Sequence, residues 1–201
     1  MNSCMIDIES FGIGPNAALI AIGAVRFDTR SLLIGSQTKN VFSYGVNLQS
    51  CLDAGLRVDG STVEWWLSRP KEQQVDILRS RPGVPLAKAM NALSLWWSQD
   101  AETKYPWSHG SMFDIVILES AFKAVGLAPP WFYYNVRDTR TLFDVAGFDF
   151  NTFKTKNKKP HDAYNDAVVQ AEGVITCLKK LGYTEKGAPE EAKKIMIPDF
   201  D

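Results

Sequence analysis

The feature that most constrains the fold is a pair of apolar segments separated by a short turn. Cys4 to Ile8 and Ala17 to Phe27 are apolar and partly β-branched, a composition that favours buried strands. The intervening FGIGPN sequence contains glycine, proline and asparagine, which are typical of turns. Val41 to Val46 has the composition of a third strand. Three strands with short links predict a β-meander in the first part of the chain.

Further along, apolar residues at helical spacing predict helices that alternate with short strands. The helices begin near Ser61, Pro85, Ile115 and Ala163. Ser61 and Glu64 have the spacing of a capping box, and the short strands are predicted at Trp107 to Gly110 and Phe132 to Val136. This order predicts an α/β fold. We expect one domain over residues 1–183 and a charged, loosely packed tail over residues 184–201.

Composition limits the kind of partner that the chain can bind. Hydrophobic residues make up 45% of the 201 residues and charged residues 22%, with a formal net charge of -1. This balance is usual for a soluble globular protein. A net charge close to zero disfavours a broad electrostatic contact with a long duplex, which usually needs a basic face. It remains compatible with a protein that binds only the end of a strand.

The cysteines and the apolar runs bear on location. Cys4, Cys51 and Cys177 form neither a CxxC pair nor a disulfide framework, so a reducing compartment is expected. The first residues lack the pattern of a signal peptide. No apolar run approaches the roughly 18 residues of a membrane span. The sequence therefore predicts a cytoplasmic protein with no membrane partner.

Two carboxylates lie in the first predicted strand. Alternate residues of a strand point to the same face, so Asp7 and Glu9 are expected side by side, with Ile6 and Ile8 on the other face. Adjacent buried carboxylates repel each other and are costly to desolvate. A divalent cation would compensate for that cost. The alternative is a frayed edge strand with two solvated acids.

Two further motifs contain acidic residues at predicted helix starts. Asp114 lies at a strand-to-helix junction, where functional groups are often presented, although an ordinary N-cap aspartate is the simpler explanation of Asp114 alone. His161 and Asp166 flank the start of the last predicted helix. Taken alone, that pair is more typical of an ordinary helix start with a surface histidine. The order of the three motifs is more specific than any one of them.

That order is D-x-E, then a central Asp, then H-x-x-x-x-D. It resembles the DEDDh family of 3′-to-5′ exonucleases, which includes RNase T, oligoribonuclease and the proofreading subunits of DNA polymerases. The resemblance extends roughly from Met5 to Leu181. The positions that match the family motifs are Asp7, Glu9, Asp114, His161 and Asp166. Glu64 to Trp66 and Arg137 to Arg140 look most similar to a small bacterial and phage exoribonuclease branch, the RNase T-like branch.

The resemblance implies an RNase H-like fold, a central mixed β-sheet flanked by α-helices. It implies two divalent metal ions, Mg²⁺ or Mn²⁺, bound by Asp7, Glu9, Asp114 and Asp166. Carboxylate ligands suit such hard ions. His161 would accept a proton from the attacking water, and its pKa near neutral suits that role. The expected products are nucleoside monophosphates released one at a time.

The expected substrate is a single-stranded 3′ end or a 3′ overhang, with RNA favoured over DNA. Aromatic side chains stack on any base. The predicted substrate contacts are Ser10, Phe11, Trp65, Trp66 and Arg137. The alternative for the tryptophans is a place in the core. A homodimer is expected by analogy with relatives.

A basic loop precedes the histidine of the third motif. Its lysines are Lys154, Lys156, Lys158 and Lys159. They are candidates for contacts with backbone phosphates upstream of the scissile bond, and a solvated loop is the alternative.

Three other functions remain open from the sequence. One is a nuclease of the same fold that cuts internally. Another is a proofreading-type DNA 3′-5′ exonuclease. The third is a catalytically inactive homologue that only binds nucleic acid.

Overall fold

The computed structural model describes residues 1–74, 83–157 and 159–184. Lys158, one of the four candidate phosphate-binding lysines, lies outside these ranges, as do residues 185–201 of the expected tail. The division into a domain and a tail therefore stays a prediction. Among the helices of the described ranges, none is both long enough and apolar enough to span a lipid bilayer.

Six strands in the described residues form one mixed sheet. They are β1 (Ser3–Ser10), β2 (Leu19–Asp28), β3 (Leu33–Ile34), β4 (Val41–Gly45), β5 (Tyr105–Ser108) and β6 (Arg137–Asp138). β2 pairs antiparallel with β1, β3 and β4. β5 pairs parallel with β1 and with β6. The predicted meander is confirmed, and β3 is a short strand that the sequence analysis missed.

The α-helices that lie wholly within the described ranges are α1 (Leu48–Asp53), α2 (Gly60–Leu67), α3 (Leu86–Ser98), α4 (Ser111–Ala124), α5 (Thr139–Val145), α6 (Phe150–Phe153) and α7 (Ala163–Lys180). Four of them, α2, α3, α4 and α7, correspond to the helices predicted near Ser61, Pro85, Ile115 and Ala163. Gly126 follows α4 with φ +73° and Gly182 follows α7 with φ +84°. These left-handed conformations favour glycine and end both helices.

Alternation along β1 divides the core into two layers. Cys4, Ile6 and Ile8 face a cluster that includes side chains of α3 and α4. Met5 faces the opposite cluster, which includes side chains of α5 and α7. Helices therefore flank a central mixed sheet, and the predicted α/β, RNase H-like fold is confirmed. Met5, Asp7 and Glu9 are alternate residues of β1, so their side chains point to the same face of the sheet. Asp7 and Glu9 therefore lie on the α7 side.

Gly23 brings the start of α7 against the sheet. Gly23 is the β2 partner of Asp7. A Cβ atom on Gly23 would lie 2.2 Å from the backbone carbonyl carbon of Ala163 and the backbone nitrogen of Tyr164. Only glycine permits this approach. The first turn of α7 is consequently held next to Asp7.

Two local predictions were wrong. The expected strand at Phe132 to Val136 is instead a 3₁₀-helix, Tyr133–Asn135, followed by the two-residue β6. The reason is that β5 pairs with β6 through Trp107 and Ser108, and the aromatic residues before β6 pair with no strand of the described residues. The expected capping box is also absent, because α2 begins at Gly60 and Asp59 is its N-cap residue.

The basic loop is more ordered than expected. The loop begins at the last residue of α6 and continues as a 3₁₀-helix, Lys154–Lys156. The side chain of Asp149 accepts a hydrogen bond from the backbone N–H of Thr152 and caps α6. The spacing of Phe150 and Phe153 was too short to indicate a helix from sequence.

Candidate active site

The five residues of the three motifs meet around one cleft. Asp7 and Glu9 come from the second half of β1, Asp114 from the first turn of α4, and Asp166 from the first turn of α7. Together with His161 they line a cleft of about 500 Å³. The structure thus brings together residues up to about 160 positions apart in sequence.

Asp114 is held by a backbone group that the sheet leaves available. β5 pairs with β1 from Ser3 to Met5, and no other strand of the described residues pairs with the rest of β1 on that side. The backbone N–H of Ile8 donates a hydrogen bond to Oδ1 of Asp114, at 3.2 Å. Asp114 is only 4% exposed. The cleft therefore lies beside the part of β1 that follows Met5.

Asp166 organises the loop that presents His161. One carboxylate oxygen of Asp166 accepts the backbone N–H of His161 at 2.8 Å, and the other accepts Nδ2 of Asn157 at 2.7 Å. The φ angle of His161 is +65°, a left-handed conformation that costs a non-glycine residue on the order of 1 kcal/mol. The hydrogen bond to Asp166 offsets this strain.

The imidazole of His161 packs edge-on against two indoles. Its ring centroid lies 5.3 Å from that of Trp65 and 5.7 Å from that of Trp66. Burial lowers the pKa of His161, and the nearby Asp166 carboxylate opposes that shift. The ring is therefore neutral near pH 7, the form that accepts a proton.

The carboxylates of the cleft resist ionisation. Burial raises the pKa of Asp7 well above its usual range, and the charges of Asp114, Glu9 and Asp166 raise it further. Burial likewise raises the pKa of Glu9. It raises the pKa of Asp114 to about 7, although the backbone N–H of Ile8 opposes the shift. The pKa of Asp166 is also raised by burial.

This arrangement fits divalent cations. Oxygen-rich carboxylate clusters are the usual ligands of Mg²⁺ and Mn²⁺. Ligand atoms of Glu9, His161 and Asp166 all lie within 4.8 Å of one another. Positive charge in the cleft would favour the ionised carboxylates. A buried acceptor, Oε1 of Gln170, also has no hydrogen-bond partner among the described residues.

A second cavity of about 400 Å³ adjoins the cleft at Glu9. Its walls include Ser10, Trp65 and Trp66, three of the predicted substrate contacts. Trp65 is 40% exposed, whereas Trp66 is 5% exposed and donates its indole N–H to the backbone oxygen of Ser10 at 3.0 Å. Trp65 is thus the more accessible ring, and Trp66 is part of the supporting structure.

The other two predicted contacts lie elsewhere. Phe11 packs against the cluster of Ile20 and Trp66 and does not line the cavity. The guanidinium of Arg137 lies 4.8 Å from the ring centroid of Tyr105 and donates to the backbone oxygen of Val136. The structure therefore does not bring Arg137 to the cleft.

Arg140 is an arginine whose charge acts on a carboxylate of the cleft. Its guanidinium packs over Gly110, the N-cap of α4. The charge of Arg140 opposes the raised pKa of Asp114. Arg140 therefore stabilises the ionised form of Asp114.

Several cleft residues were missed by the sequence analysis. His109 has Nδ1 at 2.7 Å from Oγ1 of Thr139 and its ring 4.5 Å from that of Phe150. Burial lowers the pKa of His109 to about 4, so this ring is neutral near pH 7. Phe113 lines both cavities. These residues are one or five positions before Asp114, but nothing in their spacing distinguishes them from core residues.

Gln170 had a detectable signal. It lies four residues after Asp166 on α7, and residues with this spacing share a helix face. A polar residue on the face that also contains Asp166, within an otherwise apolar stripe, is a candidate neighbour of the site.

Comparison with known proteins identifies a family for most of the chain. A family model described as the 3'-5' exoribonuclease Rv2179c-like domain matches residues 2–178. Among curated proteins, none matches the chain. The family match covers all five residues of the three motifs and supports the expected 3′-to-5′ exoribonuclease activity. The chain belongs to the family of Rv2179c-like 3′-5′ exoribonuclease domains.

Proposed function

We propose that the protein is a metal-dependent 3′-5′ exoribonuclease of the DEDDh type. It shortens single-stranded RNA, or a 3′ overhang, and releases nucleoside monophosphates. The observation that supports this most is the convergence of four carboxylates, two of them buried and two half-buried, with His161 in one cleft. The adjoining aromatic cavity, of about 400 Å³, is suited in size to one nucleoside at the end of a strand.

Asp7, Glu9, Asp114 and Asp166 would bind two divalent cations, Mg²⁺ or Mn²⁺. Such ions activate water and neutralise charge that develops on the phosphate and the leaving oxygen. The carboxylates of the chain fix the position of this positive charge. Because their pKa values are raised by burial, protons compete with cations for them as the pH falls.

His161 accepts the proton of the attacking water. Its imidazole is neutral near pH 7 because burial lowers its pKa. Edge-on contacts with Trp65 and Trp66 restrict the ring to the mouth of the cleft. General bases held in this way contribute about 10²–10⁴-fold to rate.

The terminal base stacks on Trp65. Stacking on an exposed indole is worth about 1–3 kcal/mol per base and tolerates every base. This arrangement supports degradation with little sequence preference.

We further propose, from the family resemblance, that the protein belongs to the RNase T-like branch and that it forms a homodimer. Sedimentation at several protein concentrations would test the homodimer.

The test uses 5′-labelled single-stranded RNA and DNA of one sequence, with Mg²⁺, Mn²⁺ or EDTA. We expect a ladder that shortens from the 3′ end by one nucleotide at a time, faster on RNA, and absent with EDTA. Asp7→Ala should abolish it, whereas Asp144→Ala, an exposed carboxylate on α5, should not.

Other outcomes identify the alternatives. Internal fragments would indicate an endonuclease of the same fold. Faster shortening of DNA would indicate a proofreading-type exonuclease. Binding of RNA without turnover in either metal would indicate an inactive homologue.

A further inference from the structure

Gln170 is a buried amide hydrogen-bonded to one of the cleft carboxylates. Its side chain is on α7, one turn after Asp166, and only 6% of the residue is exposed. Nε2 donates a hydrogen bond to Oδ1 of Asp7 at 2.7 Å. This bond joins α7 to β1 across 163 residues of sequence.

The amide leaves one buried atom unsatisfied. Oε1 of Gln170 receives no hydrogen bond from any described residue, although it is buried. Buried acceptors without a partner are costly and rare. Gln170 lines the same cleft as Asp7, Asp114 and Asp166, so the unsatisfied atom belongs to a residue at the edge of the carboxylate cluster. A hydrogen-bond donor that enters the cleft, such as the hydration water of a cation, would satisfy it.

An amide suits this position better than other side chains of similar size. A glutamate would add another negative charge beside Asp7, where neighbouring charges already oppose ionisation. A methionine or leucine would leave Oδ1 of Asp7 without this donor. An amide is uncharged, donates to Asp7 through one group and offers an acceptor through the other.

We propose that Gln170 is a positioning residue for cation binding. It fixes the orientation of the Asp7 carboxylate through Nε2 and accepts a hydrogen bond through Oε1 when a hydrated cation is bound. This inference rests on the proposed function, because it requires that the cleft binds a cation. Some residues hydrogen-bond to metal ligands without contacting the metal. Mutation of such residues typically lowers metal affinity or activity by about 10–100-fold.

The test measures cation binding without substrate. The melting temperature of the full chain is followed while Mn²⁺ or Mg²⁺ is titrated, for the wild type, Gln170→Met and Gln170→Ala. We expect the half-saturating cation concentration to rise about tenfold or more in both variants. In assays with RNA, raising the cation concentration should restore much of kcat.

A packing control separates this role from a purely structural one. Val174 lies one turn further along α7 and is fully buried in the core beneath the sheet. Val174→Ala should lower the melting temperature in EDTA but leave the half-saturating cation concentration within twofold of wild type. Gln170→Ala avoids the bulk of methionine should Gln170→Met fail to fold.

The outcomes distinguish this inference from the proposed function. If the wild type shortens RNA and binds cation while both Gln170 variants retain its half-saturating concentration, only the positioning role is overturned. If cations leave the melting temperature of the wild type unchanged and RNA is not degraded, the proposed function fails as well.

Discussion

Carboxylates at the two ends of the β1–β2 pair behave in opposite ways. Asp28, at the end of β2, accepts backbone N–H groups of Asn2, Arg30 and Ser31. Although burial opposes its ionisation, the bonds from Ser31 and Arg30 lower the pKa of Asp28 to about 2. At the other end, burial raises the pKa of Asp114 to about 7.

The difference lies in the balance of donors and charges. Asp28 has three backbone donors and the guanidinium of Arg30, at 3.3 Å, so its ionised form stabilises the fold. Among the described residues, Asp7 accepts a hydrogen bond from Gln170 and has three carboxylate neighbours that raise its pKa. Its ionised form is therefore unfavourable until positive charge arrives. Stability at one end and binding at the other come from the same kind of side chain.

The largest expected effect separates the two ends directly. Asp7→Asn removes a charge from the cleft but keeps an oxygen that can accept from Gln170. We expect kcat to fall on the order of 10³-fold, because several kcal/mol of charge stabilisation are lost. In EDTA near pH 8 the melting temperature should stay equal or rise, since repulsion is relieved. Thermal melts and single-turnover RNA cleavage measure both, and a variant with turnover within tenfold of wild type would contradict the assignment.

The second-largest expected effect comes from substitution of His161, whose imidazole is neutral near pH 7. His161→Asn retains a residue type that tolerates the left-handed backbone at this position. We expect kcat to fall at least about 10²-fold, while the cation-induced rise in melting temperature persists. RNA degradation assays and cation titrations followed by thermal melts would measure these. Loss of the cation-induced rise would instead make His161 a metal ligand.

A pH series tests the comparison in the wild type. The folded-state pKa of Asp114 is raised to about 7, so this carboxyl favours the folded state below its unfolded pKa of roughly 4, and the contribution is lost as the pH rises through 7. In EDTA, stability should fall between pH 5 and 8 by about 1–2 kcal/mol, or about 2–8 °C. Saturating Mg²⁺ should remove most of this loss. Equal pH profiles with and without cation would contradict the conclusion that a bound cation favours the ionised carboxylates of the cleft.

The last prediction concerns Asp28, whose contribution to stability depends on pH in the opposite direction to that of Asp114. Asp28→Asn should lower the free energy of unfolding by about 1–2 kcal/mol at pH 7, because its lowered pKa makes the ionised form stabilising. The contribution is present above the unfolded pKa of roughly 4 and is lost as the pH falls through about 2. Urea unfolding at pH 7 and pH 3 would measure it. Activity per folded molecule should be unchanged, and a loss of activity would link the two ends.

Local patterns predicted the elements that contain their own signal. β1 and β2 follow from apolar composition, and α7 follows from helical spacing and ends at Gly182. The signal failed at Phe132 to Val136, where strand formation depends on a neighbour and only Arg137 and Asp138 meet β5. It also failed at α2, which begins at Gly60, one residue before the predicted cap.

For the candidate site, as for the helices and strands, the sequence predicted some features and not others. Asp7 and Glu9 share a face because a strand alternates, which follows from their spacing alone. Trp65 and Trp66 were candidates of equal weight, and only packing made Trp65 the accessible ring. Arg137 was included because of its neighbours in sequence, yet its guanidinium lies at the sheet edge.

The sequence by itself determined the residue types of the site and the strands and helices on which they lie, because charge, alternation and helical spacing are local properties. Only the tertiary structure decided that Gly23 admits α7 beside Asp7 and that Gln170 bonds to Asp7. It also decided that Asp114 and Asp28 titrate in opposite directions. The physical reason is that burial, donors and neighbouring charges are contributed by segments far apart in the chain.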